Sequence, residues 1–269
     1  MKLSVVIPCY NNERFLQQTF DSLRNQTFQD FEVIFVDDGS TDASCSIAYR
    51  NHSDFHGHII HQPHSGIYQA RNRGVQEAEG EYLCFLDADD LISPERFAKQ
   101  VECLDSHGDV GLVFSDTNLI DEQGQEIGAY RDDMKGRIEF LTDIPSNLCW
   151  DGCFIAIQSV MMRRQVFLST GPLEWPGAIC DWMKWIEISN LTKVHYIPEV
   201  LAYWRRHSGC NSIKTNRCIQ SFMVLYGLIH ILRKHPDIRI RVGRRIYWHY
   251  VKNWFVRQMK KWGVRRRNQ

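Results

Sequence analysis

Two hydrophobic patterns alternate near the amino terminus. An apolar, β-branched run from Leu3 to Ile7 predicts a buried strand that stops at Pro8. Asn11 or Asn12 is placed to cap a helix, and a second buried strand is predicted from Phe31 to Val36. The apolar positions of that helix recur at helical spacing and are Phe15, Leu16, Thr19, Phe20 and Leu23. Strand, helix and strand in this order predict parallel pairing in an α/β sheet.

The alternation continues through the first half of the chain. We predict a strand from His58 to His61, a helix from Tyr68 to Glu79, a strand from Tyr82 to Leu86, a helix that starts at Ser93-Pro94-Glu95, and a strand from Val110 to Ser115. The acidic clusters Asp37-Asp38 and Asp87-Ala88-Asp89-Asp90 directly follow two of these strands. Ligands of open α/β sheets bind beyond the carboxyl ends of the strands, so both clusters are expected at a ligand site.

The pattern weakens in the second half of the chain. Turn residues punctuate the stretch from Asp121 to Trp150, where we expect variable loops. Strand-like character returns from Phe154 to Met162, and Trp182 to Ile188 predicts a helix face. Val194 to Tyr203 predicts a strand broken by Pro198. Residues 219–232 are apolar nearly all round, which predicts a docked helix.

The composition indicates a folded chain. With 269 residues, 43% of them hydrophobic, the chain is long enough to bury one large core or two fused ones. A formal net charge of zero does not indicate a nucleic-acid partner. Nine cysteines without CxxC spacing, and a start without the apolar segment of a signal peptide, predict reduced thiols in a cytosolic compartment. No apolar run approaches the about 20 residues that span a bilayer, so any membrane contact is expected to be peripheral.

Positive charge concentrates at the C-terminus. From Arg233 onward, basic residues outnumber the single acid Asp237, and from Arg244 to Arg267 aromatic residues interleave with cations at helical spacing. Such a basic amphipathic helix suits an anionic membrane surface, with its aromatic residues at the headgroup level. A docked helix with a solvated charged face is the alternative interpretation. Nucleic-acid binding is a third, which no accompanying fold supports.

Six segments contain the residues most suited to chemistry. They are SVVIPCYNN (4–12), VDDGSTD (36–42), HSGIYQARNRG (64–74), GEYLCFLDADD (80–90), CDW (180–182) and WRRHSG (204–209). In this order and spacing they resemble the family 2 glycosyltransferases, which are inverting, sugar-nucleotide-dependent enzymes of the GT-A fold. The resemblance covers residues 1–120 and, more loosely, residues 156–212. It implies an α/β fold with a Rossmann-like αβα sandwich and a mostly parallel sheet.

The resemblance also implies how the chain is divided. Residues 1–120 correspond to the half of the GT-A domain that binds the nucleotide sugar, and residues 121–215 correspond to the half that binds the acceptor. Residues 216–269 are then a basic, helical C-terminal extension.

The resemblance assigns a nucleotide site to the carboxyl ends of the first strands. Asp38 matches the aspartate that accepts a hydrogen bond from the base N3–H, which favours uracil or thymine; the role of Asp37 is open. A carboxylate only accepts hydrogen bonds, so it suits an imide N–H. A simple turn at Asp37–Ser40 and a surface position for Arg71 are the alternative interpretations. The other matching residues are Pro8, Tyr10, Asn11, Arg71, Asp87 and Ala88.

The same resemblance assigns a divalent metal, Mn²⁺ or Mg²⁺. Asp89 matches the metal ligand of the D-x-D motif, Asp87 faces the ribose or a metal-bound water, and His207 completes the metal shell or touches the diphosphate. A cation between the carboxylates and a diphosphate lets these like charges approach one another, and oxygen ligands suit both metals. Arg205 or Arg206 is expected to hold the diphosphate leaving group. A capped turn and a structural histidine are the alternatives.

Asp181 matches the family's catalytic base. The family has an acidic pair before an aromatic-rich helix, and here the pair is Cys180-Asp181, so its first acid is missing. We expect Asp181 to take the proton of the acceptor hydroxyl as that oxygen attacks the anomeric carbon. A helix cap ahead of Trp182 is the alternative. The missing acid leaves the electrostatics of the site and the identity of the acceptor open.

Five histidines between residues 52 and 64 raise the question of a zinc site. Strand alternation places His58 and His61 on opposite faces, and no cysteine has metal-ligand spacing to them. We therefore expect surface residues of an edge strand. The five are His52, His56, His58, His61 and His64.

Three functions remain compatible with the sequence. A transferase that adds one sugar from a UDP-sugar to a saccharide or lipid-linked glycan in bacterial cell-surface polysaccharide or lipopolysaccharide synthesis is favoured, on the inner face of the cytoplasmic membrane. A processive synthase is disfavoured, because the chain has no spanning segment and no Q-x-x-R-W sequence. A non-catalytic module that binds sugar nucleotides or membrane surfaces is the third; turnover distinguishes it from an enzyme.

Overall fold

A computed structural model describes residues 1–130, 148, 153–174, 179–209, 226–227, 229–231 and 233. These residues form a nine-stranded mixed sheet with helices on both faces. The strands are β1 (Leu3–Cys9), β2 (Phe31–Asp37), β3 (His56–His61), β4 (Tyr82–Phe85), β5 (Leu91–Ile92), β6 (Val110–Ile120), β7 (Glu126–Ala129), β8 (Met161–Arg163) and β9 (Lys193–Arg205). The helices are α1 (Glu13–Arg24), α2 (Ser44–Asn51), α3 (Ile67–Glu77), α4 (Arg96–Ser106), α5 (Arg164–Ser169) and α6 (Cys180–Leu191).

The first four strands form the parallel half of the sheet. Their order is β3, β2, β1 and β4, with β1 between β2 and β4. Every residue of β1 and β2 is buried, as expected for parallel strands covered on both faces. The strand β1 passes through Pro8, contrary to the prediction, because β4 is paired only as far as Val6. Beyond Val6, β1 pairs on one side, where a proline without an N–H is tolerated.

The second half adds antiparallel pairs. The short strand β8 lies between β4 and β6 and is antiparallel to both. The long strand β9 runs parallel to β6, and β5 and β7 pair antiparallel with β9 and β6. The predicted break at Pro198 is instead a bulge within one continuous strand, because the register passes from Ile197 opposite Ser115 to Val200 opposite Asp116.

The sheet separates two hydrophobic cores. One core contains Val6 of β1, Ala70 of α3 and Trp182 of α6, and it also includes Ile231 near the end of the described residues. The other core contains Val5 and Ile7, so alternate residues of β1 face opposite sides. On that second side α1, α2 and α4 cover the sheet through Leu16, Phe20, Ile47, Phe97 and Leu104.

Most elements predicted from the sequence are confirmed. The buried face of α1 consists of the five predicted positions, and the predicted strands and helices of the first half are present within a few residues. The helix α2 was not anticipated from the pattern. The strand expected from Phe154 to Met162 is wrong over most of its length, because Ile157–Ser159 form a 3₁₀ turn and only Met161–Arg163 pair as a strand.

Several predictions fall outside the described residues. The basic helix over Arg244 to Arg267 and most of the helix over residues 219–232 lie there, as does most of the loop region from Asp121 to Trp150. Within the described residues, no helix is both long enough and apolar enough to cross a membrane.

Candidate active site

The carboxyl ends of β1, β2 and β4 meet at one edge of the sheet. Cys9 lies opposite Asp37 at the paired ends of β1 and β2, and the backbone N–H of Asp38 donates to the carbonyl of Cys9 at 2.8 Å. The acidic loop follows β4 at the same edge, where the backbone N–H of Leu86 donates to Val6. Parallel pairing therefore brings the two acidic clusters to one edge, as the sequence predicts.

The three aspartates of the acidic loop differ in their surroundings. Asp87 pairs with the buried guanidinium of Arg71 at 2.6 Å. Burial raises the pKa of Asp87, and Arg71 opposes that rise. Asp90 is only 1% exposed and accepts a hydrogen bond from the backbone N–H of Arg205, and burial beside Asp89 and Asp87 raises its pKa well above the ordinary value. Asp90 thus anchors the loop to β9, while Asp87 and Asp89 stay partly open.

Asp89 and His207 form a pair in the open part of the site. The Oδ2 atom of Asp89 lies 2.8 Å from Nε2 of His207. The Nδ1 atom of His207 lies 3.2 Å from the backbone N of Gly209, so Nε2 is the ring nitrogen that faces Asp89. The imidazole also packs against Phe15, with ring centroids 4.7 Å apart. One carboxylate oxygen and one imidazole nitrogen thus lie close together, and both atom types can bind a divalent ion such as Mn²⁺.

Asp181 lies in the first turn of α6, partly buried. Burial raises the pKa of its carboxyl to about 6, and the positive charge of Arg71 opposes this rise. Its Oδ1 atom accepts the N–H of Trp182 at 2.8 Å. The alternative of a helix cap is wrong, because Ile179 precedes the helix and Asp181 is already its second residue. With a pKa of about 6 the carboxyl is ionised at neutral pH.

Arg71 connects these acidic groups. It lies on α3, is almost fully buried, and reaches Asp87 with one Nη and the Sγ of Cys180 at 3.5 Å with the other. Its charge also acts on Asp181. The interpretation of Arg71 as a surface residue is wrong. At the start of α6, Arg71 therefore meets the thiol of Cys180.

Asp38 organises the loop before α3. One of its carboxylate oxygens accepts the N–H of Ser65 and the other accepts the N–H of Gly66, at 2.9 and 2.8 Å. Gly66 has a φ of +104°, which a residue with a side chain rarely adopts. Gln62 and His64 also contact the carboxylate, at 2.6 and 2.9 Å. Asp38 is therefore a buried acceptor already supplied with donors from this loop.

Tyr10 and Asn11 shape the loop after β1. Tyr10 is 43% exposed and stacks on His64, with ring centroids 3.9 Å apart. Asn11 adopts a left-handed φ of +54°, donates its N–H to Ser40 and accepts the N–H of Thr41 at 2.8 Å. The loops after β1 and β2 are thereby joined, and they present an exposed aromatic ring pair at the edge of the sheet.

Pro8 and Ala88 are buried, unlike Tyr10. Pro8 is a buried residue of β1, and Ala88 is only 1% exposed. The hydroxyl of Thr19 donates to the carbonyl of Ala88 at 3.0 Å and ties the acidic loop to α1. Both residues therefore shape the backbone of the site.

The two arginines of WRRHSG have different roles. Arg205 is fully buried, and its guanidinium donates to the carbonyls of Asp89, Asp121 and Glu122. This contradicts its assignment to the leaving group, because its donors already serve the protein. Arg206 is partly exposed, with its guanidinium 4.8 Å from the ring of Trp204.

Sequence reasoning missed two contributors to this edge. One is His64, which stacks on Tyr10. Its position next to Ser65-Gly66, in a segment that resembles the family, was a signal that could have identified it. Asp90 was grouped with its neighbours as part of the acidic cluster, and only the fold shows that it is buried against β9. No local pattern distinguishes it from Asp89.

Comparison with known proteins identifies the class. Residues 4–168 match the family model described as glycosyl transferase family 2. The match covers more than half of the chain, which therefore belongs to glycosyl transferase family 2 and is a glycosyltransferase.

Relatives extend this similarity. An uncharacterised glycosyltransferase of Nostoc sp. (strain PCC 7120) is 27% identical over 303 residues, which covers 99% of this chain and 88% of that protein. The uncharacterised glycosyltransferase YibD of Escherichia coli K12 is 42% identical over 97 residues, which covers 36% of this chain and 28% of that protein.

Solved structures share the fold. The structure of S. aureus TarS 1–349 in complex with UDP-GlcNAc aligns with a TM-score of 0.71 at 20% identity, covering 86% of this chain and 67% of that one. The mannosyltransferase PcManGT of Pyrobaculum calidifontis, in complex with GDP-Man and Mn²⁺, aligns with a TM-score of 0.68 at 18% identity, covering 86% and 64%. The GT-A fold predicted from the sequence is confirmed.

Proposed function

We propose that the protein transfers one sugar, with inversion, from a UDP-sugar to a hydroxyl group of a saccharide or lipid-linked glycan. The observation that carries this proposal is that Arg71 joins the acidic loop after β4 to the start of α6, where Asp181 lies. Burial there raises the pKa of the Asp181 carboxyl to about 6. A carboxylate of this kind is ionised at neutral pH and is still a stronger base than an ordinary aspartate. It lies close enough to Arg71 and Asp87 for their charges to act on it.

The chain's own residues account for the proton and for the position of the donor. Asp181 takes the proton from the acceptor hydroxyl while that oxygen forms a bond to the anomeric carbon. The bond from that carbon to the diphosphate oxygen breaks at the same time, and UDP leaves with the electron pair. Attack on the face opposite the leaving group converts an α-linked donor into an equatorial-type β linkage. Arg71 fixes Asp87 and keeps Asp181 ionised.

Asp89 and His207 would hold the divalent ion. When bound, Mn²⁺ or Mg²⁺ supplies positive charge that offsets the charge of the diphosphate. The partly exposed Arg206 follows Arg205 at the end of β9, one residue before His207, which supports a role for its guanidinium at the leaving group. Arg205 holds the backbone of the acidic loop in place for both.

The preference for uracil rests on the edge that Asp38 and Tyr10 form. The exposed ring of Tyr10 supports stacking on a base. The carboxylate of Asp38 supports base binding by holding the loop before α3 beside that ring, because its oxygens already accept the N–H groups of Ser65 and Gly66. Among the structural neighbours, TarS is in complex with UDP-GlcNAc and PcManGT with GDP-Man. A guanine donor is therefore the alternative that the experiment must include.

The acceptor belongs to a bacterial cell-surface glycan, such as a polysaccharide or lipopolysaccharide, in this proposal. The basic, aromatic sequence after Arg233 supports contact with an anionic membrane surface, where a lipid-linked acceptor would lie. The place of action would be the inner face of the cytoplasmic membrane. Binding to vesicles with and without anionic lipid tests this part separately from catalysis.

Nucleotide release from a panel of UDP- and GDP-sugars tests the proposal. Wild-type protein is assayed with Mn²⁺, with and without EDTA, beside Asp89→Ala. We expect one UDP-sugar to be turned over, with EDTA and Asp89→Ala each reducing release by about 10²-fold or more. Release that is indifferent to EDTA contradicts the assignment of a metal. Binding of UDP without turnover, even with a crude lipid acceptor, indicates the non-catalytic module instead.

A further inference from the structure

Three potential metal ligands converge beside the nucleotide edge, outside the Asp89–His207 pair. They are Asp37 at the end of β2, Cys45 in the first turn of α2, and His61 at the end of β3. The Sγ of Cys45 lies 3.3 Å from Nδ1 of His61 and 3.7 Å from Oδ2 of Asp37. The distance from that Nδ1 to that Oδ2 is 3.3 Å. Among the described residues, this is the one group of three such side chains whose potential metal-binding atoms all lie within 4.8 Å of one another.

These distances match the edges of a tetrahedron around zinc. With Zn–S of about 2.3 Å and Zn–N or Zn–O of about 2.0–2.1 Å, neighbouring ligand atoms lie about 3.3–3.6 Å apart. Within that range the N···O edge is the shorter and the two edges to sulfur the longer, and each observed separation lies within about 0.2–0.3 Å of its own expected edge. The three side chains therefore need little movement to become ligands of one ion.

The surroundings hold two of the three ligands in orientation. The other ring nitrogen of His61 lies 2.8 Å from the hydroxyl of Tyr49, which leaves Nδ1 turned toward Cys45 and Asp37. The N–H of Ser40 donates to Oδ1 of Asp37, which leaves Oδ2 for the cluster. Hydrogen bonds from outside the shell, such as these, are what fix metal ligands in known sites.

The exposure of the cluster leaves room for a fourth ligand. The side chain of Asp37 is 7% exposed, whereas that of His61 is 45% exposed. When three protein ligands bind zinc and one side of the site is open to solvent, water fills the fourth coordination position.

We propose that Asp37, Cys45 and His61 bind a zinc-class divalent ion, with water as the fourth ligand. Thiolate and imidazole ligands favour Zn²⁺ and Co²⁺ over the Mg²⁺ that suits an all-oxygen site. On binding, the thiol of Cys45 gives its proton to solvent and the sulfur bonds to the metal, so no group is oxidised or reduced. The site is separate from the Asp89–His207 pair.

The expectation of exposed histidines on an edge strand is confirmed for both His58 and His61, whereas the contact of His61 with Cys45 was not anticipated. The strand β3 is an edge strand, and His58 lies exposed on it, as predicted. His61 also meets Cys45, which lies 16 residues away on another element. A bound ion would tie β2, α2 and β3 together next to Asp38.

Cobalt titration of the full-length protein tests this site without an activity assay. A Co²⁺–thiolate pair gives a charge-transfer band in the near ultraviolet. We expect a band that saturates at about one equivalent of Co²⁺, is displaced by Zn²⁺, and persists in Asp89→Ala. The band should vanish in Cys45→Ser and need at least about tenfold more Co²⁺ in His61→Ala.

Matched variants and a second measurement complete the test. His58→Ala, on the same strand, and Cys153→Ser, at another partly buried thiol, should leave the titration unchanged. In the wild type, Zn²⁺ should protect Cys45 from alkylation, as mapped by mass spectrometry, so the result does not depend on how Cys45→Ser folds. The proposal is overturned if the wild type shows no band or if the band persists in Cys45→Ser. It is also overturned if Zn²⁺ does not change the alkylation of Cys45.

Discussion

The substitution Asp181→Asn is expected to stabilise the protein while it abolishes transfer. Burial raises the pKa of this carboxyl from its ordinary 3.8 to about 6. A carboxyl with a higher pKa in the folded state holds more protons when folded than when unfolded, so stability falls as pH rises from 3.8 to 6. The amide carries no charge and keeps an oxygen that can accept the N–H of Trp182. The substitution therefore removes the electrostatic cost and retains the local hydrogen bond.

The magnitude follows from the two pKa values. At about 1.36 kcal/mol per pH unit, ionising Asp181 in the folded protein costs about 3 kcal/mol above pH 7 and about half of that at pH 5. Water reaches part of the side chain and screens its charge. We therefore expect Asp181→Asn to raise the free energy of unfolding by about 1–3 kcal/mol at pH 7.5, and by about half that amount at pH 5.

Urea unfolding at pH 5 and pH 7.5 measures this difference. The control is Asp109→Asn, at an exposed carboxylate whose pKa is lowered by its hydrogen bond to Lys193, so neutralising it should not stabilise the protein at either pH. If Asp181→Asn is less stable than the wild type at pH 7.5, the argument is refuted. A gain that is equal at the two pH values would refute it as well, because ionisation could not then be the cause.

Three further predictions concern the framework of the site. Arg71→Met leaves the Asp87 carboxylate without its buried partner, and urea titration should show a loss of about 3–5 kcal/mol in the free energy of unfolding, with Arg71→Lys losing less. Arg205→Lys removes donors from the buried guanidinium to several partly buried carbonyls and should cost about 2–4 kcal/mol, whereas Arg206→Lys should change stability by less than about 0.5 kcal/mol and instead raise KM for the donor. Asp38→Asn loses one acceptor for the loop before α3, so stability should fall by about 1–3 kcal/mol and calorimetry should show weaker UDP binding. The role of Arg71 is contradicted if Arg71→Met is as stable as the wild type. The roles of the two adjacent arginines are contradicted if Arg205→Lys and Arg206→Lys lose equal stability. The role of Asp38 is contradicted if Asp38→Asn binds UDP as tightly as the wild type.

The parts of the fold that the sequence predicts well are those with strong local patterns. The helix α1 buries the five positions that recur at helical spacing, because a one-sided apolar stripe has one favourable way to pack on a sheet. The strands β1 and β2 are continuous apolar runs and lie fully buried. By contrast, β8 has only three residues, and it lies between β4 and β6 because it pairs with strands that are distant in the sequence. No local pattern encodes such pairing.

The candidate site divides in the same way. Asp89, Asp181 and His207 were proposed from short motifs, and the fold places Asp89 beside His207 and Asp181 near Arg71. The burial of Arg205 could not be predicted, because the carbonyls that it serves come from distant segments. The contact between Cys45 and His61 could not be predicted from the sequence either, because it depends on how α2 packs beside the end of β3.

The most direct test of the account is to measure UDP binding and sugar turnover in the same preparation of Asp181→Asn. Calorimetry with Mn²⁺ gives the affinity for UDP, and nucleotide release from the preferred donor gives the rate. If Asp181 is the base and Asp89 with His207 holds the metal, UDP affinity should stay within about threefold of the wild type while kcat falls by about 10²–10⁴-fold. Retained turnover, or loss of UDP binding together with turnover, would contradict this division of roles.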